Sequence, residues 1–154
     1  MNVIDGEHAA DRLEGIIHAP SQVNDDGVDL TVSRVYRFEA GGQLDFGGGE
    51  FEAADATALE PQLKDPSDDY GWWELDEGTY KVRYNESVET DPSDVVRMQP
   101  LPRLLDCGVT HPTLEWTGAA GQLEAVIQVP SCGVALKENF RATRFQIRTR
   151  EILD

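Results

Sequence analysis

The chain has 154 residues, of which 40% are hydrophobic and 27% charged, and this suits one globular domain that buries a core without disulfides. Its 29 acidic and 13 basic residues give a net charge of −16. That balance argues against a general nucleic-acid-binding surface, which needs clustered cations. We expect no membrane span, because no apolar run approaches the roughly 20 residues that one requires. The opening residues, MNVID, do not resemble a secretory signal, so we expect a cytoplasmic protein.

The acidic charge has two interpretations. It suits a protein that binds cations or basic partners, and it also suits adaptation to molar salt, where dense carboxylates keep a protein hydrated. The acids are spread along the chain rather than gathered in a tail, and lysine occurs only at Lys64, Lys81 and Lys137. Self-repulsion would burden so acidic a domain in dilute buffer, whereas a Debye length of about 3 Å at 1 M salt removes most of it. We favour halophilic adaptation.

Cysteines and histidines give no metal-site signal. Cys107 and Cys132 form no CxxC motif, and we interpret them as small buried hydrophobic residues rather than a disulfide or a metal pair. The three histidines have no metal-binding spacing.

The first half of the chain begins with one predicted helix and continues as strands. Apolar spacing predicts a short amphipathic helix over residues 8–17. Alternation over residues 28–38 predicts a strand, and residues 44–46 predict a second, shorter one. The acidic, proline-containing stretch 55–70 is typical of a solvated loop.

The second half continues the pattern of short strands. Tyr80, Val82 and Tyr84 alternate with polar residues, as in a half-buried strand, and Trp73 is expected in the core with Trp72 facing outward. Further strands are predicted around residues 95–96, 104–105, 123–129 and 140–147. Strands at this spacing, separated by turns, favour an all-β barrel or jelly roll in a single domain, 1–154, with an N-terminal helical segment, 1–20.

Three motifs, in order, resemble those of the dUTPase/dCTP deaminase superfamily and are most similar to its archaeal branch. Residues 27–30, Gly-Val-Asp-Leu, are similar to the first motif. Residues 75–86, with Leu-x-x-Gly-x-Tyr-x-Val and then Asn85-Glu86, are similar to the family's central hairpin. Residues 121–141 are similar to its closing strands.

The resemblance implies a distorted jelly roll that assembles as a homotrimer with active sites at the subunit interfaces. Members hydrolyse dUTP to dUMP and pyrophosphate, deaminate dCTP, or do both, and Mg²⁺ bridges the phosphates. Asp29 matches the first-motif aspartate, which acts near the metal through water. Its alternative interpretation is a carboxylate that binds turn amides at the start of a strand.

The second, phosphate-binding motif is altered in this chain. The family's Pro-Arg-Ser-Ser-Leu-Leu-Arg-x-Gly corresponds to residues 100–108, PLPRLLDCG, which keep Gly108 but lose both serines and the arginines in their usual places. A proline removes a backbone donor, and Asp106 repels an anion where the family has an arginine. Arg103 would supply one cation in compensation, or would instead pair with Asp106 or a neighbouring acid.

The third and fourth motifs are altered as well. In residues 114–121, Gly118 and Gly121 match the glycines of the family's third motif. The positions of the family's aspartate and tyrosine are occupied by Trp116 and Ala119. Glu115 is the candidate base if the hairpin shifts by one residue, and otherwise an exposed acid at a strand end.

The remaining landmarks lie in the last strands. The deaminase glutamate falls on Val126, with Glu124 two residues away on the same face, so deamination is the less favoured activity. Arg141 is retained as a phosphate-binding candidate, while the family's following glutamine is Arg144.

Two hypotheses of different classes follow from the resemblance. As an enzyme, the protein would be a Mg²⁺-dependent dUTP pyrophosphatase that uses Asp29, Glu115, and Arg103 or Arg141. As a binding or structural protein, it would keep the trimer and bind a deoxynucleotide such as dUTP or dUMP weakly or not at all. The altered motifs favour the second hypothesis, and a mixed trimer with an active paralogue is a further alternative. The position of Trp116 distinguishes the two, because an indole in the nucleotide pocket would exclude catalysis.

Overall fold

The computed structural model describes residues 2–118 and 120–149, and strand is their dominant regular structure. The strands are β1 (Asn2–Val3), β2 (Leu13–Glu14), β3 (Val28–Phe38), β4 (Ala56–Ala58), β5 (Trp72–Leu75), β6 (Gly78–Glu89), β7 (Val95–Pro100), β8 (Leu114–Thr117), β9 (Ala120–Val129), β10 (Val134–Lys137) and β11 (Arg141–Thr149). The short helices of this part are α1 (Gly6–Ala10), α2 (Ala19–Gln22) and α3 (Pro102–Asp106). The predicted all-β class is confirmed.

Nine strands form one curled sheet in the order β2-β6-β3-β11-β7-β8, with β1 beside β11, β4 beside β3 and β9 beside β6. All these pairings are antiparallel, and β5 and β10 form a separate two-stranded ribbon. The last strand of the described residues, β11, therefore lies in the middle of the sheet, between β3 and β7. This arrangement is the distorted, jelly-roll-like barrel expected from the resemblance.

The core lies inside the curled sheet because each long strand alternates between buried and solvent-facing residues. In β6 every second residue from Tyr80 to Val88 is buried. Phe145 and Ile147 of β11 and Met98 of β7 are fully enclosed. Removing these apolar surfaces from water is the main stabilising contribution to the fold. Trp73 is buried as predicted, while Trp72 is half-buried.

Four local predictions differ from the structure. The helix predicted over residues 8–17 is only α1, and residues 13–14 form β2 instead. No strand forms at 44–46, where Leu44 and Phe46 lie in an exposed loop closed by a bridge between Gln43 and Glu52. The acidic stretch 55–70 is mostly loop but contains β4. Residues 104–105 lie in α3 and not in a strand. Pro102 is favourable in the first turn of a helix, and it has no N–H to donate to a neighbouring strand.

Both cysteines are exposed, which corrects the expectation that they are buried. No helix in the described ranges is long and apolar enough to cross a membrane.

A chain of three polar side chains crosses the core between β6, β11 and the loop before β8. The Tyr84 hydroxyl is 2.6 Å from Oγ1 of Thr143, which is 2.9 Å from Nε2 of His111. His111 Nδ1 lies 2.8 Å from the Pro112 carbonyl oxygen, which can only accept, so Nδ1 carries the proton. Nε2 then accepts from Thr143, and Thr143 accepts from Tyr84. This pattern requires a neutral imidazole.

Acid is expected to destabilise the protein through His111. Burial lowers the pKa of His111 below its usual 6.5, although the bond to Pro112 opposes the shift. At a pH between the two pKa values, His111 therefore binds a proton in the unfolded chain but not in the native chain. The contribution of His111 to the free energy of unfolding is constant above about pH 6.5 and falls below it, by at most about 1.4 kcal/mol per pH unit. Chemical unfolding at pH 5 to 7 measures this slope, and His111→Gln should flatten it while the exposed His18→Gln should not. Equal slopes for the wild type and His111→Gln would contradict the prediction.

Candidate functional site

A cleft of about 560 Å³ opens between β3, the β5–β10 ribbon, α3 and the start of β11. Its lining combines an apolar wall with a cationic rim. The residues are Asp29, Trp72, Leu101, Pro102, Arg103, Leu104, Cys107, Ala135, Leu136, Lys137, Phe140 and Arg141. A concave, mostly apolar site with a few convergent polar groups is the usual form of a small-molecule site.

Asp29 is the acidic residue in the lining, and its carboxylate is fixed by two neighbours. Asn24 Nδ2 donates to Asp29 Oδ1 at 3.0 Å, and Arg141 Nη1 lies 3.5 Å from Oδ2. Arg141 Nη1 also donates to the Ser21 carbonyl at 3.0 Å, so the arginine ties β11 to α2. The alternative interpretation was that Asp29 binds turn amides at the start of a strand. It applies in part, because the side-chain amide of the turn residue Asn24 donates to the Asp29 carboxylate.

Three cations line the cleft in a chain whose net charge is −16. Arg103 lies exposed on α3 and forms no ion pair with any other residue in the described ranges, so the alternative pairing with Asp106 is not seen. Lys137 Nζ lies 3.7 Å from Asp68, and Arg141 contacts Asp29. This concentration of positive charge would attract an anion into the cleft.

Trp72 and Phe140 form the aromatic part of the lining, and neither was among the predicted site residues. Lys64 Nζ lies 3.9 Å from the centre of the indole ring, and Lys137 Nζ lies 5.6 Å from it. Both contacts fall within the range of cation–π attraction, so the indole holds Lys137 at this cleft and Lys64 at a second cleft that Trp72 also lines. The outward-facing Trp72 of the sequence pattern was the only signal for this role.

Glu115 lies away from the cleft. It is exposed on β8, and its cross-strand neighbour is Arg97 of β7. Trp116, the next residue, packs against the core and does not line the cleft. The lining of the cleft, among residues 2–118 and 120–149, thus contains no glutamate beside Asp29.

The three predicted site glycines lie outside the cleft lining, Gly108 and Gly118 in turns and Gly121 near the start of β9. Gly118 and Gly121 have positive φ values of 65° and 105° at the β8–β9 connection, which suits glycine. Ala119, the predicted sugar-stacking position, lies outside the described residues. Gly108, at φ 79°, follows α3 and would meet Pro130 if it carried a side chain. Of the predicted site residues, the chain brings together Asp29, Arg103 and Arg141.

The two deaminase positions lie on the outer side of β9. Val126 is 39% exposed, and Glu124 is held in ion pairs with Arg83 at 3.2 Å and Lys81 at 3.9 Å. A glutamate that is paired with two cations is poorly placed to act as a base in the cleft.

A buried hydrogen-bond network holds the backbone of β3 in place at Asp29. Glu86 is fully buried and accepts hydrogen bonds from the Thr31 backbone N–H and hydroxyl, both at 2.7 Å. Gln22 Nε2 donates to Glu86 at 3.2 Å and to the Asp29 carbonyl at 2.9 Å. Burial raises the pKa of Glu86, and these hydrogen bonds oppose the rise. The network joins α2, β3 and β6, and fixes the backbone of β3 where Asp29 enters the cleft.

Comparison with known proteins identifies relatives that share one name. The chain is 34% identical to a probable deoxyuridine 5'-triphosphate nucleotidohydrolase of Methanosarcina mazei, over 84% of this chain and 73% of the relative. It is 32% identical to the protein of the same name from Methanosarcina acetivorans, with the same coverage. The protein of that name from Archaeoglobus fulgidus is 28% identical over 92% of this chain and 84% of the relative. No family model matches the chain.

A solved structure has the same fold. The 2'-deoxycytidine 5'-triphosphate deaminase from Agrobacterium tumefaciens superposes with a TM-score of 0.71 at 16% identity. The match covers 96% of this chain but only 46% of the deaminase chain.

Proposed function

We propose that this chain, which belongs to the dUTPase/dCTP deaminase superfamily, binds dUTP or a closely similar deoxynucleotide in the Asp29 cleft without hydrolysing it efficiently. The observation that carries the proposal is the grouping of Arg103, Lys137 and Arg141 at one cleft of a strongly acidic chain. Three cations are suited to a triphosphate, which is the most highly charged part of such a ligand. The apolar wall would hold the rest of the nucleotide.

Mg²⁺ fits this cleft only together with a nucleotide. In the described part of the chain no three histidine, cysteine, aspartate or glutamate side chains converge as a metal site, and the cleft offers the single carboxylate of Asp29. Magnesium in nucleotide sites is commonly held by one or two carboxylates, substrate phosphates and water. Asp29 would hold the ion, which neutralises phosphate charge, and Arg141 would keep the Asp29 carboxylate oriented.

The lack of a base beside Asp29 in the described part of the chain is the reason to propose binding over turnover. Hydrolysis needs a group that takes a proton from the attacking water, within hydrogen-bonding reach. Asp29 already contacts Arg141 and Asn24, and Glu115 lies on another face. We propose that the protein acts as a homotrimeric nucleotide-binding or regulatory subunit in a high-salt cytoplasm.

An active dUTP pyrophosphatase is the second candidate, favoured by the name that the relatives share. A neighbouring copy, or an active paralogue in a mixed trimer, would then have to supply the base.

Binding of dUTP is expected to depend on Arg103. In 2 M KCl with Mg²⁺, Arg103→Ala should weaken binding about tenfold, because it removes a charge-assisted contact of about 1.4 kcal/mol. Arg34→Ala is the matched control, since Arg34 is exposed on β3 and does not line the cleft. Titration calorimetry gives the dissociation constants, with dCTP and UTP for comparison. Equal binding by both variants would contradict the phosphate site.

Pyrophosphate release, measured on the same samples, separates the two candidates. We expect no turnover of dUTP above background. Turnover that disappears in Asp29→Ala would establish the enzyme and overturn the non-catalytic proposal.

A further inference from the structure

One loop contacts a cation of the cleft without being part of the cleft lining. It comprises residues 63–71, LKDPSDDYG, and we call it the 63–71 loop. Its ends are fixed, because Gln62 and Trp72 exchange two backbone hydrogen bonds of 2.9 and 2.8 Å. The N–H of Gly71 also donates to the Glu138 carboxylate at 2.7 Å. The loop is therefore anchored at its base, next to the strand that carries Lys137.

The turn at the tip of this loop places Asp68 beside the cleft. Asp65 Oδ1 accepts from the N–H and the hydroxyl of Ser67, both at 2.9 Å, and the Asp68 N–H donates to the Asp65 carbonyl at 3.0 Å. The Asp68 carboxylate lies 3.7 Å from Nζ of Lys137, one of the three cations in the cleft. The two side chains are 37% and 39% exposed, so a ligand can reach this ion pair.

Lys64 attaches the start of the loop to Trp72 from the side of another cleft. Its Nζ lies 3.9 Å from the centre of the indole ring and 4.0 Å from the Glu74 carboxylate. Trp72 lines both the nucleotide cleft and a second cleft of about 350 Å³, and Lys64 lines the second one. The tip of the loop can therefore leave Lys137 while its start remains attached through Lys64.

Asp68 lowers the positive charge that the cleft offers to a ligand. The lining contains three cations, Arg103, Lys137 and Arg141, and the single carboxylate of Asp29, which together give a net charge of +2. The contact with Asp68 cancels one more of these charges. A phosphate oxygen and a carboxylate repel each other at the same ammonium group, so the two anions compete for it.

Lys137 does not need Asp68 to remain at the cleft. It lies directly opposite Trp72 in the pairing of β10 with β5, and its Nζ is 5.6 Å from the centre of the indole ring. The strand pairing and the cation–π contact both hold the side chain there without a carboxylate. Removing the Asp68 charge therefore frees the ammonium group and leaves it in place.

We propose that Asp68 is an internal competitor of the nucleotide, which binds Lys137 until a triphosphate displaces it. This inference rests on the proposed function, because it assigns Lys137 to the phosphates. The coupling is reciprocal, so a change that removes Asp68 from Lys137 tightens nucleotide binding, and a bound nucleotide releases the tip of the 63–71 loop. An exposed ion pair of this kind is equivalent to at most about a fivefold change in an equilibrium constant.

Titration calorimetry of Asp68→Asn with dUTP tests the competition. In 0.5 M KCl with Mg²⁺, this variant should bind dUTP about three- to fivefold more tightly than the wild type. The gain should shrink in 2 M KCl, because the Debye length is already about 3 Å at 1 M and the ion pair is screened.

Asp69→Asn is the matched control. Asp69 is the exposed neighbour of Asp68, and it forms no ion pair with any residue in the described ranges. The substitution removes the same charge, so its affinity for dUTP should stay within about twofold of the wild type. An equal gain in both variants would assign the effect to overall charge and overturn the competition. Weaker binding by Asp68→Asn would show that Asp68 orients Lys137, which also overturns it.

A measurement without nucleotide tests the contact itself. The chain has three lysines, so NMR of protein with isotope-labelled lysine side chains gives one signal for each, and Lys137→Arg identifies the signal of Lys137. Asp68→Asn should shift this signal, while that of Lys81, which pairs with Glu124, stays in place. A Lys137 signal that is the same in the wild type and Asp68→Asn would overturn the proposal whatever the affinity for dUTP.

The two measurements separate this inference from the proposed function. If dUTP binds to none of the proteins although the Lys137 signal shifts, the nucleotide site is wrong and the competition is overturned with it. If the wild type binds dUTP and Asp68→Asn binds it no more tightly, the competition alone is overturned.

Discussion

Glu86→Ala is expected to lower the free energy of unfolding by about 3–5 kcal/mol, because each buried donor that loses its acceptor costs about 1–3 kcal/mol. The substitution leaves the Thr31 N–H and the Gln22 amide without their acceptor in a region closed to water. It also opens a void between α2, β3 and β6. Guanidinium-induced unfolding at constant ionic strength measures the change.

Glu86→Gln distinguishes loss of charge from loss of shape. One end of the glutamine must present its NH₂ group to a donor, the Thr31 N–H or the Gln22 amide. An unsatisfied buried donor costs about 1–3 kcal/mol, so this variant should lie between the wild type and Glu86→Ala. Glu89→Ala, at the exposed end of the same strand, should change stability by less than about 0.5 kcal/mol. A cost below about 1 kcal/mol for Glu86→Ala would show that the network is not important for stability.

The pH dependence of this contribution has a definite sign. Burial raises the pKa of Glu86, so between the unfolded and folded pKa values the native chain binds more protons than the unfolded chain. The stabilisation is fully present below the unfolded pKa and decreases as the pH rises through the folded pKa. This trend runs opposite to that expected for His111, so the two groups can be separated by variants of each.

Potassium chloride is expected to raise the melting temperature on the order of 10 °C between 0.1 and 2 M, since a change of ~3 kcal/mol shifts a domain of this size by about that much. The net charge is −16, and the Debye length shrinks from about 10 Å at 0.1 M to about 3 Å at 1 M. Screening therefore removes repulsion that favours the unfolded chain. Differential scanning calorimetry over a salt series gives the curve.

A charge-reduced variant is the control for this effect. Replacing Glu39, Glu50, Glu52 and Asp69 by their amides removes four exposed carboxylates and changes the net charge from −16 to −12. Its melting temperature should rise less with salt than that of the wild type. A salt dependence that is the same in both would assign the effect to general salting-out, and a melting temperature independent of salt would contradict halophilic adaptation.

The strands were predictable where alternation is regular. The pattern of Tyr80, Val82 and Tyr84 predicted β6 because one face is buried and the other solvated. Its continuation also places Glu86 inside, but a charged residue at an inward position is normally taken as the end of a strand. The structure shows instead that Thr31 and Gln22 supply the donors that allow burial. Such donors lie far away in sequence, so no local pattern reveals them.

Only part of the candidate site was predictable, because some of its residues also come together from distant parts of the sequence. Asp29, Arg103 and Arg141 were found through motifs, and the fold brings them to one cleft. Trp72 and Lys137 carry no motif, and they meet only because β5 pairs with β10. Residues 44–46 were wrongly predicted as a strand, since apolar alternation alone does not ensure a partner strand.

The position of β11 has a consequence for synthesis on the ribosome. The strands before it form two groups, one around β3 and β6 and one of β7 and β8, and β11 is the strand that joins them in the sheet. The nascent chain cannot complete the sheet until residues 141–149 have left the exit tunnel. Until then the apolar edges of both groups remain open to other chains, and this is the stage at which a chaperone would protect the protein most.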